Sequence, residues 1–253
     1  MIVLVHGNPE TAAIWDPLRA ELGRDDVTAL SPPGFGAPVP DGFGAHSDDY
    51  VTWLVAELEA LQGDAPIDLV GHDWGGGHVM RLAAKRPDLI RSWATDIAGC
   101  AHPDYVWHDL AQVWQTPGDG EAAVEAMAAT PKEELAAGFE ALGMTAAAAR
   151  SCAEAVTPEM GRCILALYRS AAQPQMAAWG QELAAAERRP ALALIPTEDH
   201  YTGGEQLARE FAGKVGADTT VLDGLGHWWM LQNPGPGAAA LTAFWSRLPS
   251  GTI

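Results

Sequence analysis

Short runs of β-branched and aliphatic residues recur along the chain at residues 2–5, 27–30, 67–70, 92–97, 192–195 and 219–222. Each is too brief for a helix and rich enough in Val, Ile and Leu to read as a buried strand. Between them, apolar positions repeat at helical spacing over residues 12–22, 48–61, 76–85, 205–212 and 237–247. Strands that alternate with helices predict an α/β fold with a mostly parallel sheet covered on both faces. The stretch from Pro234 to Gly237 reads as a turn ahead of the last helix.

The alternation stops between about Ala101 and Glu187. Five Ala-rich segments, 120–129, 132–141, 146–155, 159–170 and 175–186, read as consecutive helices, and Pro117, Pro131, Pro158 and Pro174 punctuate them. The chain thus divides into a core of residues 1–100 and 187–253 and a helical insertion, 101–186, after the strand at 92–97. An insertion there is expected to lie over the carboxyl ends of the strands, where open α/β sheets place their ligands. No internal repeat of fixed period is present.

Composition narrows the function. At 253 residues, with 48% apolar and 19% charged residues, the chain can bury one sizeable core. Its formal charge of −18 would repel phosphate backbones and anionic membrane surfaces, so neither nucleic acid nor membrane is expected as a partner. Cys100, Cys152 and Cys163 are widely spaced and form no CxxC pair, as expected of reduced thiols. No secretory leader and no apolar stretch of membrane-spanning length is recognisable, so a cytoplasmic location is expected.

The candidate chemistry lies between the strand at 67–70 and the helix that follows. Gly71-His72-Asp73-Trp74-Gly75 sets an acidic side chain between glycines at a strand-to-helix turn, the pattern of a nucleophile elbow with aspartate in place of serine. Val5-His6-Gly7-Asn8-Pro9 follows the first strand, and Gly224-Leu225-Gly226-His227-Trp228 follows the last. His6 and Gly7 read as structural residues of their loop. Taken in this order, the three motifs resemble the aspartate-nucleophile branch of the α/β-hydrolases, the epoxide hydrolases and haloalkane dehalogenases, over nearly the whole chain.

That resemblance implies an α/β-hydrolase fold with a helical cap. The chain starts almost directly on the strand before His6, so the sheet is expected to be reduced to about six strands, without the first strands that most of the family possess. The resemblance also implies roles. Asp73 would form an alkyl ester at saturated carbon, and His227 would activate the water that hydrolyses it. Asp199 would orient His227, with the adjacent Glu198 as the alternative. The amides of Asn8 and Trp74 would stabilise the oxyanion. Tyr168, in Leu167-Tyr168-Arg169, would donate to the leaving oxygen of an epoxide, with Tyr105 as a second donor. Asn8 and the Trp107-His108 pair leave halide removal open instead, whereas Trp74 would follow the nucleophile in both groups. The expected reaction is therefore epoxide hydrolysis to a diol, with dehalogenation as the alternative and a non-catalytic binding protein on this fold as a distant one.

The expected ligands are a small apolar substrate and water, without metal or organic cofactor. Trp107, Trp114, Trp179 and Met127 read as possible pocket walls, and His102, Asp104 and His108 as a chance cluster rather than a metal site.

Overall fold

The computed structural model describes residues 1–61, 63 and 66–249. Six strands, β1 (Ile2–Val5), β2 (Val27–Leu30), β3 (Asp68–Gly71), β4 (Ser92–Thr95), β5 (Ala191–Pro196) and β6 (Asp218–Leu222), form one sheet in the order β2-β1-β3-β4-β5-β6. Every pairing is parallel. The central strands β1, β3, β4 and β5 are buried along their whole length, which explains why they read as continuous apolar runs, whereas β6 at one edge begins exposed.

Helices α1 (Asp16–Leu22), α2 (Ser47–Leu61) and α3 (Trp74–Lys85) connect the first strands. Six more separate β4 from β5: α4 (Asp109–Gln115), α5 (Asp119–Ala129), α6 (Lys132–Ala141), α7 (Ala146–Ala155), α8 (Pro158–Ser170) and α9 (Gln175–Ala185). Then α10 (Gly204–Val215), α11 (Trp229–Gln232) and α12 (Pro234–Ser246) complete the chain. Among the described residues, no helix is long and apolar enough to cross a membrane.

Four local readings of the sequence need correction. The helix expected over 12–22 is a 3-10 turn, Ala12–Trp15, leading into α1, and Pro17 occupies the first turn of α1 where a missing N–H costs nothing. Likewise Pro234 and Gly235 do not form a separate turn but open α12. The strand expected to reach residue 97 ends at Thr95, whose hydroxyl accepts the Ile97 N–H and turns the chain. Finally, α4 was not expected; His108 caps it by accepting the Ala111 N–H through Nδ1 at 3.3 Å.

Candidate active site

The turn from β3 into α3 fixes the candidate nucleophile. Asp73 has φ 49° and ψ −127°, a backbone conformation costly for any residue with a Cβ. The turn is tight because its flanks are glycine: a Cβ on Gly71 would lie 2.5 Å from the Gly75 carbonyl oxygen, and one on Gly75 would lie 2.1 Å from that of Val5. The strain lifts the Asp73 carboxylate above the carboxyl end of the sheet.

The loops after β1, β5 and β6 meet it there. Asp73 Oδ1 accepts the backbone N–H of Asn8 at 3.0 Å, and the Trp74 N–H also favours the charged carboxylate. His227 Nε2 lies 4.0 Å from Asp73 Oδ2, while its Nδ1 donates to Asp199 Oδ2 at 2.8 Å. Asp199 Oδ1 in turn accepts the Tyr201 N–H at 2.9 Å. Of the two adjacent acids it is Asp199 that is buried against His227, whereas Glu198 is exposed. Asp73, His227 and Asp199 therefore stand in line, with one Asp73 oxygen held by the Asn8 amide and the other facing His227.

Electrostatics adjust each group. Burial pushes the Asp73 carboxyl up to about 6, against the opposing charges of His227 and His72. Burial also acts to raise Asp199, but the charge and hydrogen bond of His227 outweigh it and hold Asp199 below the usual carboxylate range. For His227, burial favours the neutral ring and the Asp199 charge outweighs it, so its pKa is raised.

A second buried network, which the sequence reading missed, lies against this one. His72 pairs through Nδ1 with Asp96 Oδ2 at 2.6 Å and through Nε2 with Glu10 Oε1 at 3.1 Å. A ring that bonds carboxylates at both nitrogens is an imidazolium, and although burial disfavours the charge, Asp96 and Glu10 raise the His72 pKa well above its ordinary value. The indole of Trp228 donates to Glu10 at 2.6 Å and that of Trp229 to Asp96 at 2.7 Å. The residues following His227 are thereby tied to the ends of β1 and β4. His72 and His227 have ring centroids 4.5 Å apart.

Glu10, His72 and His227 also offer ligand atoms within 4.8 Å of one another. With both nitrogens of His72 engaged by carboxylates, that residue has no lone pair for a cation. The cluster drawn from His102, Asp104 and His108 does not assemble as a unit. The Nε2 of His102 faces Glu210 at 3.2 Å, whereas His108 lines the cavity above Asp73.

That cavity, of ≈ 20 Å³, is bounded by Asp73 and Trp74 below and by Tyr105, Trp107, His108, Tyr168 and Met176 from the inserted helices and the segment leading into them. Tyr168 is buried with its ring edge-on to Trp74 at 5.2 Å. Burial and then the Asp73 charge raise its pKa well above the ordinary tyrosine value. The Asn8 side chain is buried with neither Oδ1 nor Nδ2 hydrogen-bonded. Tyr105 lines the same cavity, but its hydroxyl donates to the Tyr201 carbonyl at 2.8 Å. Of the other expected walls, Trp114 packs on Tyr168, Trp179 lines a neighbouring cavity and Met127 packs on the core from outside.

Comparison with known proteins bears on the fold and the family. A haloalkane dehalogenase of Bradyrhizobium diazoefficiens is 28% identical over 145 residues, covering 49% of this chain and 45% of that enzyme; the chain thus matches about half the length of this relative. The structure of the Cif epoxide hydrolase from Acinetobacter nosocomialis superposes with TM-score 0.75 at 20% identity, over 96% of this chain and 81% of that one. A haloalkane dehalogenase from Bradyrhizobium elkani does so with TM-score 0.71 at 22% identity, over 97% and 90%. At these identities the structures attest the fold. The sequence profile described as "Alpha/beta hydrolase family" matches residues 2–240, nearly the whole chain, and the protein belongs to the alpha/beta hydrolase family.

Proposed function

We propose that this protein is a hydrolase that acts at saturated carbon through an ester on Asp73, and that its reaction is the hydrolysis of an epoxide to a diol. The observation that carries the choice is Tyr168, a buried phenol facing the Asp73 cavity beside Trp74. Asp73 Oδ2 attacks an epoxide carbon, the carbon–oxygen bond breaks, and Tyr168 gives its proton to the leaving alkoxide. Water then attacks Cγ of the Asp73 ester while His227 Nε2 takes its proton. The negative charge that develops on Oδ1 is met by the Asn8 and Trp74 amides. Collapse breaks the Cγ–Oδ2 bond, and the leaving alkoxide takes the proton held on His227 to complete the diol. The proton that water left on the Asp73 carboxyl returns to the Tyr168 phenolate, which restores the Asp73 carboxylate. The inserted helices act in this scheme as a cap that supplies the proton donor and keeps bulk water out.

A second reading, release of halide by the same ester route, is favoured by one specific observation: the Asn8 side chain is buried without a partner. Its Nδ2 and the Trp74 indole would hold a departing halide. Paired substitutions separate the two reactions. Tyr168→Phe is expected to lower kcat for styrene oxide by about 100-fold or more, the typical share of a positioned acid, and to spare turnover of bromobutane. Asn8→Ala should lower only the second. Epoxide turnover unchanged in Tyr168→Phe would overturn the preference.

A further inference from the structure

Hydrolysis of an ester on Asp73 depends on where the His227 ring stands, whereas formation of the ester does not. Attack on carbon needs the Asp73 carboxylate and the Tyr168 proton. The water that cleaves the ester must meet both Cγ and His227 Nε2, and that nitrogen lies 4.0 Å from Asp73 Oδ2, beyond direct hydrogen-bond reach. The ring hangs on a short loop after β6 whose backbone is anchored piece by piece. Gly224 donates its N–H to Thr197 Oγ1 at 2.8 Å, and the Leu225 carbonyl accepts the Glu198 N–H at 2.9 Å, which ties the front of the loop to the segment bearing Asp199. Behind His227, the Trp228 and Trp229 indoles reach Glu10 and Asp96.

Gly226, immediately before His227, has a different partner. Its N–H donates at 2.8 Å to Oε1 of Gln232, the last residue of α11. That bond closes the chain from 226 to 232 into a ring with His227 inside it. Gln232 is exposed, yet its amide is held from two sides by glycine backbone: a Cβ on Gly226 would lie 3.2 Å from Gln232 Nε2, and one on Gly143 would lie 2.7 Å from it. Gly143 belongs to the turn between α6 and α7 and has φ 109°, so the inserted helices close on this side chain through bare backbone.

We propose that Gln232 is a positioning residue for His227, a clasp that sets the ring for the hydrolytic step and leaves ester formation untouched. The role in hydrolysis rests on the ester route proposed above; the clasp on the His227 loop does not.

Rapid-quench mass spectrometry of the intact protein with styrene oxide reads the formation and the hydrolysis of the ester separately. Gln232→Ala is expected to form the ester at the wild-type rate and to hydrolyse it about tenfold more slowly, a part of what a misplaced catalytic group can cost. Gln232→Glu keeps an oxygen for the Gly226 N–H and should restore hydrolysis. Wild-type hydrolysis in Gln232→Ala, an equal loss in both steps, or no recovery in Gln232→Glu would overturn the assignment. Solvent exchange of the proton between His227 Nδ1 and Asp199, followed by NMR, reads the clasp without any turnover. If the wild type forms no ester, the proposed function fails, and exchange about tenfold faster in Gln232→Ala would still support the clasp as a local restraint; unchanged exchange would overturn it.

Discussion

Replacing Glu10 with glutamine probes the buried network with almost no change of shape. Both oxygens of Glu10 accept only from donors: Oε2 from the Gly7 N–H at 2.9 Å, and Oε1 from the Trp228 indole at 2.6 Å and from His72 at 3.1 Å. The side chain is fully buried, and although burial acts to raise its pKa, His72 and its neighbours hold it down at about 2. A glutamine has a single oxygen, so its NH2 must face at least one N–H. The variant loses one or two hydrogen bonds to a charged acceptor, at about 1.5–3 kcal/mol each. It also leaves the His72 imidazolium to Asp96 alone, and breaking a buried pair costs about 3–5 kcal/mol. The losses overlap, so a total of about 3–4 kcal/mol is expected from urea unfolding at pH 7, with m unchanged. Adding His72→Gln should cost less than the sum of the single changes, because the second substitution removes the charge the first one orphaned. A Glu10→Gln loss below about 1 kcal/mol, or full additivity, would refute the ion network.

Two further predictions concern pH. Asp73 must be ionised to attack, so kcat/KM is expected to fall as pH drops through about 6, the value to which burial raises its carboxyl; a profile flat down to pH 4.5 would contradict that assignment. His78 is buried against Tyr50 with both ring nitrogens unbonded, and burial lowers its pKa to about 3. A folded-state pKa below the unfolded 6.5 means that its contribution is intact above pH 6.5 and is lost as pH falls towards 3. His78→Phe should therefore flatten the acid limb of stability by about 1.4 kcal/mol per pH unit between pH 6 and 4, and denaturation curves showing the wild-type slope in the variant would sink this.

Much of the scaffold was legible in the sequence because the central strands are buried on both faces and so appear as unbroken apolar runs. Asp73 and His227 were legible through their glycines, which mark turns that only glycine permits. Asp199 and Glu198 could not be told apart by type; the turn after β5 decides by sending one inward and leaving the other in solvent. The Glu10–His72–Asp96 network escaped notice because its members are 62 and 24 residues apart and meet only where β1, β3 and β4 lie side by side. The available signal was positional, since each follows the carboxyl end of a strand. Helix α4 was missed because Leu110 and Val113 put exposed apolar side chains on its outer side, erasing the contrast that marks an amphipathic helix.

The central claim is that Asp73 forms the ester and His227 resolves it. His227→Gln, exposed to a reactive epoxide and examined by intact-protein mass spectrometry, should gain the mass of one substrate molecule, located by peptide mapping at Asp73, whereas the wild type returns to its unmodified mass. An unmodified His227→Gln protein with every epoxide and haloalkane that the wild type turns over, or an adduct mapped to any other residue, would contradict the account.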